Sequence, residues 1–363
     1  MRIAVSCRSL AGTRFHPESL HLHDLIDIWQ SAGHEVILIG PSDAVERLPG
    51  DTRRVRLDPE HSLRSRVLSI IWGEARAAAE AGAHVLFIPE SIAPLMARLP
   101  IAVTISRRRT RPASFSRRIQ IAAGQAGLGG ASVVLMPNDL PAPVADTRLV
   151  RRLPAFVGPA FTDEPIDSDA DRLRELELTS GYALAFGGSE DEVRALLAAW
   201  SWVAGALGDD YRLVIAGGGG VTGELSRTIA AAADLSGPLR WIDDVSAGAL
   251  PALFRGADVF LHAGPTSTGQ ELRWALACGV PIAGVETPDT AAVVADAGYL
   301  VPSLDTRALG AACLTAIVDE DVAGKLKERS LARARAYHEP ASRLAWAEVL
   351  QSILSPADRE RRP

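Results

Sequence analysis

The chain has 363 residues, of which 47% are hydrophobic, and a formal net charge of −6. That length suits two domains, each with a core of its own. The composition excludes a disordered chain, and the acidic balance gives no reason to expect nucleic acid as a partner. Three cysteines, Cys7, Cys278 and Cys313, are too few and too scattered for a disulfide framework or a zinc site. The opening MRIAVSC reads as a strand rather than a signal peptide. No apolar run approaches the roughly 20 residues of a membrane span. The expectation is a cytoplasmic protein with at most peripheral membrane contact.

In chain order, Met1–Ser6 is apolar enough for a central strand, and residues 18–32 place Leu20, Leu25, Ile26 and Trp29 on one helical face. Gly33 stops that helix and HEVILIG follows as a strand. A helix is expected over 65–82, and strands over 84–89, 101–106 and 131–137. Between the last two strands, Arg107, Arg108, Arg109, Arg111, Arg117 and Arg118 fall within twelve positions. They form either a solvated face or a contact for phosphate, acidic glycan or anionic lipid. Residues 158–180 turn proline-rich and then acidic, and read as a linker between a first domain, 1–157, and a second, 181–339. Strands are expected over 182–188, 211–219, 239–242, 258–262 and 280–285, with a short one near Leu300. Residues 340–363 supply a closing helix and tail. The β-α-β alternation in both halves gives an α/β fold class, with two Rossmann-like domains.

The most informative stretch runs from Trp241 to Pro302. Its Thr266–Gly269 turn lies beyond the carboxyl end of a strand and at the start of a helix, where open parallel sheets bind ligands. A helix cap is the simpler account of the same residues. The Gly217–Gly220 run lacks the Lys and Ser/Thr of a phosphate-binding P-loop and serves as a tight turn. His16, His21 and His23 lack metal-ligand spacing, and no Asp-x-Asp site stands out, so no metal is expected.

The pieces MRIAVSCRSLAG, SAGHEVILIG, YALAFGGSEDEV, YRLVIAGGGG and ALACGVPIAGVETPDTAAVVADAGYLVP resemble, in order, successive units of the family-4 GT-B glycosyltransferases. The resemblance covers nearly the whole chain and is most specific in the last piece. It implies two domains facing across a cleft, with the closing helix packed back on the first. A nucleotide-sugar would sit against the second domain and an acceptor against the first, with no cofactor. The implied donor-side residues are Gly187, Gly188, Ser189, Arg194, Gly217, Asp244, Val245, Thr266, Ser267, Thr268, Gly269, Gln270 and Glu271. Those on the acceptor side are Gly12, Thr13, Arg14, His16, Ser106 and Arg107. No catalytic residue is assigned.

The departures fall on charged positions. Aligned on Ala277-Cys278-Gly279, the family's two glutamates become Thr266 and Trp274, and a tryptophan at the second removes a ribose contact and adds bulk. The Arg/Lys pair expected against the donor pyrophosphate has no counterpart, because the loop instead carries Glu190, Asp191 and Glu192, and lysine occurs only at Lys325 and Lys327. The family's His-Asp pair is replaced by Ser106-Arg107. Cleavage of a sugar–diphosphate bond builds negative charge that preorganised donors must meet, so the surviving backbone turns would carry that task alone. The resemblance therefore implies glycosyl transfer from a nucleotide-sugar to a glycan, lipid-linked or small-molecule acceptor. The alternative is an inactive homologue that binds or scaffolds another glycosyltransferase.

Overall fold

The computed structural model describes residues 1–10, 17–46, 48, 52–57, 69–90, 93–104, 130–141, 150–208, 211–217, 227–228, 231, 239–243, 245–246, 248–264, 269–302 and 305–354. Two all-parallel sheets organise them. The first holds β1 (Arg2–Ser6), β2 (Glu35–Gly40), β3 (Arg53–Arg56), β4 (Val85–Ile88), β5 (Ile101–Thr104), β6 (Val133–Pro137) and β7 (Val150–Leu153), in the order 3-2-1-4-5-6-7. The second holds β8 (Tyr182–Phe186), β9 (Leu213–Ala216), β10 (Leu239–Ile242), β11 (Ala257–His262), β12 (Ile282–Val285) and β13 (Gly298–Val301), in the order 10-9-8-11-12-13. Central strands such as β4, β9 and β12 are buried along their whole length, as expected where helices cover both faces.

Among the described residues, the helices of the first domain are α1 (Pro17–Ser31), α2 (Ser42–Val45) and α3 (Glu74–Glu80). Between the sheets lies α4 (Asp169–Glu175). The second domain adds α5 (Glu190–Leu207), α6 (Leu250–Arg255), α7 (Gln270–Ala277), α8 (Pro288–Val294), α9 (Thr306–Val318) and α10 (Glu320–Ala334), and α11 (Pro340–Ser352) closes the chain. Of the helix expected over 65–82, the described part is a π turn at Ser69–Gly73 running into α3.

The chain crosses between the domains twice, and the crossings touch. Val157 N–H donates to the Tyr337 carbonyl at 3.2 Å. α11 then packs on α1 of the first domain. Trp29 Nε1 donates to the Trp346 carbonyl at 3.0 Å, Trp346 Nε1 donates to the Pro154 carbonyl at 2.9 Å, and Arg343 pairs with Asp27 at 2.9 Å. No helix among the described residues is long and apolar enough to cross a membrane.

Candidate active site

Strand order locates the candidate site. In the second sheet β8 is followed by β9 on one side, while the chain later returns to β11 on the other. Loops that leave such neighbours diverge and open a crevice at the strands' carboxyl ends. One wall is Gly187-Gly188-Ser189 after β8, with Gly187 N–H donating to the Ala216 carbonyl at 2.9 Å. Gly217 follows β9 and donates its N–H to Ile242 at 2.8 Å. On the other side stand Gly264, after β11, and Gly269 at the start of α7, which sits at φ +74° in the left-handed region. Gly187, Gly188, Ser189 and Gly217 thus gather at one end of this sheet, and Val245, buried, follows β10 at the same end. Asp244, Thr266, Ser267 and Thr268 lie outside the described residues, as do Gly12, Thr13, Arg14, His16, Ser106 and Arg107 on the acceptor side.

Several donor-side candidates are engaged elsewhere. Arg194 is exposed and pairs with Glu190 one turn earlier at 2.6 Å. Gln270, buried, donates its amide to the Phe156 carbonyl in the first crossing at 3.1 Å. Glu271 is buried in the first turn of α7. Trp274 departs further from expectation. It is fully buried, stacked on Phe161 with centroids 5.0 Å apart and planes at 9°, and edge-on to Phe254. Its bulk fills the core rather than the crevice.

Residues that the sequence reading did not single out tie the domains together. Arg273, 1% exposed, forms a bidentate pair with Asp139 just past β6, Nη2 to Oδ1 at 2.6 Å and Nε to Oδ2 at 2.9 Å. Its guanidinium also lies over the Tyr337 ring at 5.8 Å. Burial works against the charge, and Asp139 outweighs it, holding the guanidinium more firmly protonated than usual. Beside this pair a small cavity is lined by His21, Leu25, Thr104, Pro137, Arg273 and Trp346. Burial, and secondarily Arg273, push the His21 imidazole down to about 3, so it is neutral here. On the acceptor side, Ser6 Oγ and Arg8 Nε both donate to buried Glu74 at 3.0 Å, anchoring the start of the loop that leaves β1.

One turn along α1 from His21, Asp24 accepts the Gly158 N–H of the first crossing. A Cβ on Gly158 would lie 2.6 Å from the Asp24 Oδ1. The first crossing is therefore held at three successive residues: Phe156 by Gln270, Val157 by Tyr337 of the second crossing and Gly158 by Asp24. Burial raises the Asp24 carboxyl to about 7; Arg343 and the Gly158 amide pull it down, while Asp27 pushes it up. A carboxyl raised from 3.8 to about 7 gives stability that is complete below pH 4 and lost as pH rises through 7. His21 works the other way, costing stability as pH falls below 6.5. His23, His34 and His338, all lowered first by burial, lean with His21. Asp24→Asn, which keeps a carbonyl for the Gly158 amide, isolates the carboxyl. It should stabilise the protein by roughly 1–3 kcal/mol at pH 8 and by nothing at pH 4. Thermal melts of both proteins across that range check this, and a constant difference between them would contradict it.

Comparison with known proteins fits this architecture. Residues 181–319, nearly the whole second domain, match the family profile for glycosyl transferases, group 1. That profile match is confined to the second domain. The chain is 27% identical to a phosphatidyl-myo-inositol mannosyltransferase of Mycolicibacterium smegmatis, over 92% of this chain and 88% of that protein. Among solved structures it is similar to sucrose-phosphate synthase from Thermosynechococcus elongatus, with a TM-score of 0.72 at 16% identity over 97% of this chain and 99% of that one. It is similar also to Anabaena HepE in complex with UDP and glucose, with a TM-score of 0.70 at 13% identity over 98% and 100% of the two chains. The fold is GT-B: two Rossmann-like domains around a cleft. The match covers the part of the chain where the resemblance was most specific. Among the described residues, no group of three or more His, Cys, Asp or Glu side chains is placed to hold a metal.

Proposed function

We propose that the protein transfers a glycosyl group from a nucleotide-sugar, held in the β8/β11 crevice of the second domain, to an acceptor carried by the first. The observation that carries this reading is the glycine-walled crevice at the point where strand order reverses, within a domain of group 1 glycosyltransferase type. Relatives support it by name: one is a mannosyltransferase acting on phosphatidyl-myo-inositol, and HepE has been solved with UDP-glucose. Lipid-linked polyols are accordingly the first acceptor class to try.

The chemistry asks for donors around the leaving diphosphate. Four arginines of the second domain are committed to carboxylates: Arg194 to Glu190, Arg240 to Glu177, Arg255 to Asp169 and Arg273 to Asp139. Stabilisation would fall to backbone N–H groups at the loop and helix starts. Calorimetric titration with UDP, GDP, ADP and their sugar conjugates, including UDP-glucose and GDP-mannose, tests the reading. One nucleotide is expected to bind and to slow amide hydrogen exchange at 187–189, 217 and 269–271. Absence of binding across the panel would overturn the transferase reading in favour of a scaffold.

A further inference from the structure

Three acidic residues open α5, and their helical phase sends them in different directions. Glu190 turns outward and bonds Arg194 with its Oε1, at 3.0 Å to Nε and 2.6 Å to Nη2. Asp191 is exposed. Glu192, two positions on, turns inward and completes a capping box: its Oε2 accepts the Ser189 N–H at 2.5 Å, and its own N–H donates to Ser189 Oγ at 3.3 Å. The carboxylate thereby lies between the two walls of the crevice. A Cβ added to Gly188 on one wall or to Gly264 on the other would collide with it.

We infer that Glu192 is an internal competitor for the donor diphosphate: its carboxylate fills the phosphate end of the crevice between Gly188 and Gly264, and a bound diphosphate must displace it. The inference rests on the nucleotide-sugar reading above and adds what limits that site. The glycines that would let a phosphate approach the backbone give that room to a side chain of the chain itself. The amide that a helix start would offer an anion, Ser189 N–H, is already bonded to one. Two anions cannot share so small a space without strong repulsion. Displacement needs only a rotation of the Glu192 side chain and the loss of one cap, so the contact tunes affinity and does not seal the site.

The sequence form of a capping box supplies a clean variant. Glutamine serves at the same position as glutamate, so Glu192→Gln keeps the side-chain bond to the Ser189 N–H and removes the charge, whereas Glu192→Ala removes both and leaves only the Ser189 Oγ cap on the backbone N–H of residue 192. Asp191→Asn is the control for loss of an exposed neighbouring carboxylate. With full-length protein, titrations of UDP and GDP should show E192Q and E192A binding at least one diphosphate tenfold or more tightly than wild type. D191N should stay within twofold of wild type. The uncharged nucleosides uridine and guanosine should bind E192Q and wild type alike, because the competition is with the phosphates. Thermal melting of E192Q close to wild type would confirm that the cap persists. Equal diphosphate affinity in wild type and E192Q would overturn the inference and leave the donor reading standing. Weaker binding to E192Q would also overturn it, making Glu192 a ligand of the donor. No diphosphate binding to wild type, E192Q or E192A would sink the donor reading and this inference together.

Discussion

Trp274→Glu should destabilise the protein by about 4 kcal/mol or more, and should not rebuild a ribose contact. Sequence alignment alone suggests the opposite, since a glutamate is what the family carries there. The side chain, however, is fully buried between Phe161 of the first crossing and Phe254 of α6. Deleting a large aromatic from such a site costs about 3–5 kcal/mol through lost burial and the cavity left behind. A carboxylate placed there would also be stripped of water with no cation provided for it, and would protonate or force the core open. Trp274→Phe is the matching mild variant. It keeps an aromatic face for Phe161, and the indole Nε1 has no hydrogen-bond partner among the described residues to lose. Urea unfolding should place Trp274→Phe within about 2 kcal/mol of wild type and Trp274→Glu far below it. A Trp274→Glu protein as stable as wild type, with tighter nucleotide binding, would show that the side chain faces the crevice after all.

That reversal marks what was legible in the sequence. The central strands were, because continuous Val/Ile/Leu/Ala runs between Gly and Pro punctuation leave few alternatives, and HEVILIG and DVFLH fall on β2 and β11 within a residue. The two strands not foreseen, β3 (RRVR) and β7 (VRRL), sit at opposite edges of the first sheet. Their arginines make them read as loop, and charged side chains are what edge strands carry to discourage further pairing. Strand order is likewise absent from local pattern, so the reversal between β8 and β11 was not readable, although the turns beside it were.

At the crevice itself, residue types were legible and directions were not. Glu190, Asp191 and Glu192 are indistinguishable in composition, and only the phase of α5 sends one of them inward. Gln270 and Trp274 lie on one short helix, yet one faces a crossing peptide and the other the core. Arg273 and Asp139 are 134 positions apart, and nothing local to either predicts the other.

Asp139→Ala should cost about 3–5 kcal/mol, the range for stranding one member of a buried ion pair. Arg273 cannot shed its proton at any working pH, so it must find water or another anion. Within a core it could do neither without unfolding. At a domain boundary it can be hydrated if α7 separates from the end of β6, and the loss measured by unfolding then falls short of the full penalty. Small-angle X-ray scattering should report the difference as a larger radius of gyration for Asp139→Ala. The double variant Asp139→Leu/Arg273→Met separates charge from packing. With no charge left to strand, it should recover most of the stability and the compact dimensions. The same contact bears on the proposed transfer, because α7 starts at the crevice and the pair fixes where that start stands relative to the first domain. Misplacement by about an ångström is enough to cost orders of magnitude in transfer between two bound substrates. Unchanged stability and scattering in Asp139→Ala would mean that the domains are held by the crossings and α11 alone. A double variant no better than the single would place the cost in lost shape rather than in stranded charge.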